Sequence, residues 1–503
     1  MAEDQGAERL ARVRAALKAA GQEHVLHFVD AGHATPHETT TLLDQVEALD
    51  LPALNNIFSG LGINKEVKPA AAAAADEYAP LSELASADST PPTLLREWEQ
   101  AGLGAIAQGK IAALVLGGGQ GTRLGFDGPK GMYKIGLPSG KSIFQLLAER
   151  VLRVSTLAAS SSSCCSNRKG KHLPFYVMTS PLNHEATQHF FEENSYFGLT
   201  PADVFFFPQG TMPCFDLEGK LLLAGPGSLA QAPDGNGGIY PSLARTGALA
   251  DMRQRGVEAF HVFSVDNVLI KVADPYFVGF CLSRGSDCGN MVVWKEGVEE
   301  KVGVVVRKNG RPAVVEYSEM DEGMKSLRHQ QEEGGVERGK LVYGAGNICS
   351  HFFTVDFVEH VVVPRFGSVY HAARKMIPSL PPSSSIHPPA AEVKTAGVKL
   401  EAFIFDVFPF SERMALWEVR REGMFAGVKD APGGKGDTPE QARRMMSEEA
   451  RRWVVKAGGK LVGGGEGGEE EVSEISPLVS YRGEGLEGRV KGKEVVLPIL
   501  FLE

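Results

Sequence analysis

The sequence predicts an α/β protein. A doubly wound, mostly parallel sheet carries a helical N-terminal domain before it and a small C-terminal domain after it. Three observations predict this. Strand-like and helix-like stretches alternate from Ile111 onward. The first of these strands, Ile111 to Leu116, is continuously apolar, as a strand buried on both faces must be, and it stops at three glycines. The residue types that carry chemistry cluster just after the strand ends, where ligands bind in such sheets.

In chain order, residues 1 to about 66 read as helices, with apolar residues at helical spacing through Leu10, Val13 and Leu17 and again at Leu42, Val46 and Leu49. Val67 to Pro92, with its alanine run and Pro91-Pro92, reads as a linker, and Trp98 lies in a short helix leading into the main domain. Strands are expected at 111–116, 174–179, 204–207 and 260–265. Helices are expected at 142–158, 183–194, 241–255 and 274–284. Ser160 to Lys171 and Ser379 to Ala391 are too polar or Pro/Ser-rich for a core and read as loop insertions. The last hundred residues are Gly-rich in patches. The expected division is 1–95, 96–410 and 411–503.

Composition narrows the function. At 503 residues, 43% hydrophobic and 23% charged, the chain is an ordinary globular protein of two or three domains. Its net charge of −10, with no concentrated basic face, argues against nucleic acid as a partner. No apolar run approaches the ~18 residues of a membrane span. The acidic start Met-Ala-Glu-Asp lacks the apolar region of a signal peptide. Six cysteines without C-x-x-C spacing suit a reducing compartment, so a cytoplasmic protein is expected.

Residues 114–130 are the most informative. Gly117, Gly118, Gly119, Gly121 and Gly125 put five glycines into nine residues, and Arg123 and Lys130 follow closely. Bare amides and permanent cations at a strand end suit a polyphosphate. The dinucleotide fingerprint fails, because its third glycine position falls on Thr122 or Leu124. The P-loop fails as well: Gly140-Lys141-Ser142 has Ile135 where that motif needs glycine, and Ser142 reads as a helix cap. His184-Glu185 is no zinc-protease start, since Gln188 stands where the second histidine is required.

Other candidates lie further on. Asp266 follows the strand Phe260 to Val265; it suits either a helix cap or the single carboxylate that Mg²⁺ takes alongside substrate phosphates. Pro233-Asp-Gly-Asn-Gly-Gly238 reads as a turn, or as a loop pressing its backbone on a flat base whose edge Gln209 and Gly235 would read. Glu316 and Tyr317, placed on a strand, would point to opposite faces. Gly344 to Asn347 is a further small-residue approach. Lys399, ahead of Phe403-Ile-Phe405, and Lys429 suit solvated charges as well as ligand contacts.

Taken together these residues resemble the eukaryotic UDP-N-acetylhexosamine (UDP-N-acetylglucosamine) pyrophosphorylases. The similarity runs over about 96–487 and rests on ordered landmarks. They include Gly-Gly-Gln-Gly-Thr-Arg-Leu-Gly, Pro129 to Tyr133, Ala232 to Gly238, Val265-Asp-Asn267, Val315 to Glu319, Ala345-Gly-Asn347 and Ile475 to Leu478. The resemblance implies a Rossmann-like fold of the nucleotide-diphospho-sugar transferase type. It implies that UTP and N-acetylglucosamine-1-phosphate, often also the galactosamine isomer, yield the UDP-sugar and pyrophosphate with Mg²⁺ (or Mn²⁺). By position, Leu116, Gly117, Gly118, Gly119, Gln209 and Gly235 would hold the uridine, and Arg123, Lys130 and Lys399 would meet the phosphates. Asp266 would bind the metal. Asn236, Glu316, Tyr317, Asn347, Phe403, Phe405 and Lys429 would surround the sugar phosphate, and Gly303 would leave room for the acetyl group.

The family usually has alanine where Gly117 stands, a departure expected to matter little. The resemblance further implies small-molecule substrates only, with no membrane or nucleic acid, and a monomer or homodimer. The nearest alternative is a UDP-glucose or broad UDP-sugar pyrophosphorylase, with the same chemistry on a different sugar.

Overall fold

A computed structural model of the chain describes residues 2–61, 76–81, 84–161, 172–330, 339–368, 370–380, 393–463 and 472–502. Most of both insertions and part of the linker therefore lie outside the described residues. The described chain packs as two units. One comprises 1–75, 209–239 and 365–406, and the other 76–208, 240–364 and 407–503.

In the first unit the N-terminal helices are α1 (Ala2–Ala19), α2 (Pro36–Glu47) and α3 (Leu51–Gly60). Thr35 caps α2 in a capping box with Glu38, and Asp50 caps α3. The stripe foreseen from spacing is the buried one, through Val13, Leu17, Leu42 and Val46. These helices do not close a core alone. Their apolar face packs on Phe215, Leu221, Leu229, Val398 and Leu400, contributed by segments about 200 and 350 residues further along the chain. Gln22 locks this arrangement, donating to the Gly219 carbonyl at 2.8 Å and accepting from the Leu221 amide at 2.9 Å. A three-stranded antiparallel sheet of His371–Pro378, Lys394–Glu401 and Phe215–Asp216 completes the unit.

The second unit holds the main sheet. Its strands are β1 (Leu84–Ser86), β2 (Ile111–Leu116), β3 (Phe175–Thr179), β4 (Val204–Pro208) and β5 (Ala259–Ser264). They are followed by β6 (Cys288–Trp294), β7 (Val304–Lys308), β8 (Arg311–Val315), β9 (Ala345–Thr354) and β10 (Met414–Glu418). The central row runs β1-β10-β6-β9-β5-β2-β3-β4, and β7 and β8 branch from β9. Every neighbouring pair in the row is parallel except the two that β9 makes with β5 and β6. All six residues of β2 are buried, as its unbroken apolar run requires.

The expected strands and helices stand close to their predicted bounds. The helix α4 (Pro92–Ala107) leads into β2, and α5 (Ile143–Ser161) and α6 (His184–Glu193) form the two crossovers that follow. Ser142 accepts from the Gln145 amide at 3.2 Å, so Gly140-Lys-Ser142 is a helix start and no phosphate loop.

Two expectations require correction. The single helix expected over 241–255 is two, Ile239–Arg245 and Ala248–Arg255, because Gly247 takes a left-handed φ of 81° between them. Glu316 and Tyr317 stand beyond the end of β8 at Val315, so strand alternation does not fix where they point. The C-terminal segment contributes β10 to the main sheet. It also contributes α7 (Pro275–Ser283)'s neighbour Trp417, and then the long helix α8 (Pro439–Lys456) with its own apolar cluster.

Candidate active site

The site in the second unit is built on adjacent parallel strands. β2 and β5 pair in register Leu116 to Ser264, so the loops leaving both strands emerge side by side. The β2 loop carries the glycines, and the β5 loop carries Asp266. Gly117 is pinned by its amide, which donates to the Met178 carbonyl at 2.8 Å. The Asn183 amide group reaches the carbonyls of Gly117 (3.2 Å) and Gly119 (3.4 Å). The amides of Gly118 and Gly119 donate to no acceptor among the described residues, and Gly119 is exposed. The two amides left without an acceptor make a donor-rich lip suited to an anion.

The loop folds back so that the Lys130 amide donates to the Gly119 carbonyl at 3.1 Å. This buries Lys130 and sets its Nζ 2.6 Å from Asp266 Oδ1. The alternative reading of Asp266 as a helix cap is settled by geometry, because Asp274 caps α7, accepting from the Tyr276 amide at 3.1 Å. Arg123 is exposed on the same loop and forms no ion pair among the described residues.

One aromatic ring demands glycine at 131 and crowds position 117. A Cβ on Gly131 would stand 2.3 Å from Phe144, and one on Gly117 would stand 3.3 Å from Phe144 and 3.1 Å from the Met178 carbonyl. Glycine at 117, where alanine is usual in the family that the sequence resembles, lets the loop sit tightly on this ring.

Asn267, fully buried, stands in the landmark Val265-Asp-Asn267, to which the sequence assigns no role of its own. Its Nδ2 donates to the Met424 carbonyl at 2.8 Å, and its Oδ1 accepts from the amides of Ala426 (3.0 Å) and Leu269 (3.1 Å). The Val428 amide then bonds the Asp266 carbonyl at 2.9 Å. This seam carries Lys429 to the site, paired with Asp437 at 3.0 Å and lying over the Phe425 ring.

Asn347 lies in β9, its amide donating to the Gly303 carbonyl at 2.8 Å and its Oδ1 accepting from the Cys349 amide at 3.2 Å. Cys349 has a left-handed φ of 52° at an irregularity in the pairing of β9 with β6. Burial pushes its thiol up to about 12; Asp266 adds to the rise and Lys429 opposes it, so both charges stand near this bulge. A Cβ on Gly303 would fall 3.0 Å from Glu316 Oε1. Gly303, Glu316 and Asn347 therefore gather, while Tyr317 is 40% exposed.

The first unit holds the remaining candidates. Gly235, at φ 85°, and Gly237 press against the backbone of Ala402, which would lie 2.3 Å and 2.7 Å from their added Cβ atoms. The Gly237 amide bonds the Ala402 carbonyl, and Asn236 Oδ1 accepts from the Ile404 amide at 2.9 Å. The demand for glycine here is thus met by the chain's own backbone, and Asn236 keeps its Nδ2 for other work. Phe403 and Phe405 stack with centroids 5.1 Å apart. Asp406 supports them, accepting from the Phe403 amide at 2.6 Å and pairing with His371 at 2.9 Å. Gln209 is buried, and Lys399 lies half-buried in the strand Lys394–Glu401.

No three potential ligands among His, Cys, Asp and Glu gather on one point among the described residues. A cation here would take Asp266 and complete its shell with water and substrate phosphate, which is the habit of Mg²⁺.

Comparison with known proteins places the whole chain in a family. A family model described as UTP–glucose-1-phosphate uridylyltransferase matches residues 68–366. The chain is 42% identical to UDP-N-acetylglucosamine diphosphorylase 2 of Arabidopsis thaliana, over 96% of this chain and 92% of that one. It is 39% identical to human UDP-N-acetylhexosamine pyrophosphorylase-like protein 1, over 98% and 97%. Among solved structures it resembles the uridine diphosphate N-acetylglucosamine pyrophosphorylase of Trypanosoma brucei, with a TM-score of 0.77 at 30% identity, over 96% of this chain and 94% of that one. UDP-glucose pyrophosphorylase from Leishmania major shares the fold alone, at a TM-score of 0.55 and 16% identity.

Proposed function

The chain belongs to the UTP–glucose-1-phosphate uridylyltransferase family, within its eukaryotic UDP-N-acetylhexosamine pyrophosphorylases, and from that premise we propose that it makes UDP-N-acetylglucosamine and pyrophosphate from UTP and N-acetylglucosamine-1-phosphate. The observation that carries this reading is the pairing of buried Lys130 with half-buried Asp266, beside the free amides of Gly118 and Gly119.

A phosphate oxygen of the sugar phosphate attacks the α-phosphorus of UTP. The new P–O bond forms as the bond to the β-phosphate bridge breaks, and pyrophosphate leaves opposite the nucleophile. That oxygen is already anionic at neutral pH, so no general base is required. The protein's work is to hold two anions together and to stabilise charge on the leaving group. Arg123, Lys130 and the loop amides supply positive potential. Gly303, Glu316 and Asn347 receive the N-acetyl sugar.

Magnesium or manganese belongs to this proposal, held by Asp266, whose second carboxylate oxygen has no hydrogen bond among the described residues. When bound it would neutralise phosphate charge. No described helix is long and apolar enough to cross a membrane. Cys214, Cys281, Cys288 and Cys349 are free thiols, which accords with work in the cytoplasm.

Pyrophosphate release with UTP and Mg²⁺, measured on three sugar phosphates in parallel, tests the reading. N-Acetylglucosamine-1-phosphate should exceed glucose-1-phosphate by about tenfold or more in kcat/KM, with the galactosamine isomer between or equal to it. Equal use of glucose-1-phosphate would favour the broad UDP-sugar enzyme.

A further inference from the structure

The second unit has another cleft, at the far end of the sheet from the glycine loop. β5 and β6 are both antiparallel to β9 and therefore run the same way. Asp266 follows the carboxyl end of β5, whereas this cleft opens at the amino ends of β6 and β10, around Ser286 and Met414. Its volume is about 530 Å³, within the usual range for small-molecule sites.

Its chemistry is uneven. Arg284, Arg307, Arg311 and Arg413 line it, with Glu412 as the single carboxylate among the described lining residues. None of the four guanidinium groups forms an ion pair among the described residues, although Arg253, Arg420 and Arg482 elsewhere all do. The nearby Asp287 carboxylate is occupied, accepting from the Ser411 hydroxyl and the amides of Glu412 and Arg413. Arg284 lies over the Phe280 ring at 5.5 Å, which holds its planar group at the cleft. Phe280, Leu84 and Leu416 supply an apolar wall.

Four unpaired like charges around one concavity repel one another, and here they do so in a chain whose net charge is −10. An anion with several charges relieves that repulsion. Guanidinium forks match phosphate oxygens two at a time, and the apolar wall suits a flat organic group. We propose that this cleft is a second ligand site, remote from the catalytic loop, for an organic polyphosphate of the nucleoside di- or triphosphate class.

The test titrates the full-length protein with the fluorescent nucleotide mant-ATP. The Arg284→Ala/Arg413→Ala double variant should bind it about tenfold more weakly or worse, the scale of losing charge-assisted contacts. That variant should keep basal pyrophosphate release, showing that it is folded. Lys130→Ala should leave mant-ATP binding unchanged, and inorganic tripolyphosphate should compete less well than ATP. The proposal is overturned by an absence of saturable binding, or by binding that Lys130→Ala abolishes and the double variant keeps. Tripolyphosphate competing as well as ATP would likewise overturn it, since the apolar wall would then play no part.

Discussion

Replacing Lys130 by alanine should lower turnover by about a hundredfold or more, the scale for losing one preorganised charge-stabilising contact. The magnitude follows from where the ammonium sits. Lys130 is buried, tied by its own amide to the glycine loop and by its Nζ, at 2.6 Å, to Asp266. A charge held there needs no reorganisation when phosphate charge develops beside it. Lys130→Arg should rescue little, because a planar fork does not fit a space shaped for a compact ammonium. The thermal melt of Lys130→Ala should remain near that of the parent, since Asp266, the partner left behind, keeps access to water. Near-normal turnover in folded Lys130→Ala would remove the residue from its assigned role.

The second large effect concerns stability. Helices α4 and α7 touch backbone to backbone. A Cβ on Gly279 would lie 1.8 Å from the Trp98 carbonyl oxygen, and one on Gly102 would lie 2.0 Å from that of Pro275. Neither clash is relieved by a side-chain turn, because the obstacle is main chain. The helices would have to part, loosening Trp98 from Phe280 and Trp417, whose rings stand 5.0 and 5.4 Å from it. Gly279→Ala should therefore cost about 3 kcal/mol, the upper range for overpacking. Gly104→Ala, on the same α4 but with open space around it, should be neutral or stabilise by under ~1 kcal/mol. Urea unfolding of the pair measures this, and equal midpoints would show that the helix contact is not as close as described.

Short-range patterns carried much of this into view before any coordinates. Six apolar residues ending in glycines predict a buried strand that stops at a tight turn, because both requirements are local. Asp266 was placed correctly at a strand end, but its pairing with Lys130 depends on β2 and β5 being neighbours, which no local pattern states. The same limit hid Phe144, whose ring lies behind both Gly117 and Gly131, and Asn183, which holds the loop from the end of β3. Asn267 stood beside a residue already singled out, and a buried amide after a strand end was the available signal. The N-terminal helices showed their apolar stripe plainly. What covers it comes from two distant segments, so the stripe alone suggested a separate domain. The valines before Glu316 and Tyr317 predict a strand through both, yet the hairpin ends at Val315.

We propose that a triphosphate lies on the loop from Gly117 to Lys130 while a sugar phosphate displaces its pyrophosphate end. UTP labelled at either the α- or the γ-phosphorus, incubated with N-acetylglucosamine-1-phosphate and Mg²⁺, tests this most directly. The α-label is expected in the nucleotide sugar and the γ-label in pyrophosphate, with neither in any other product. Transfer of γ-label to the sugar phosphate, or release of labelled orthophosphate, would contradict it.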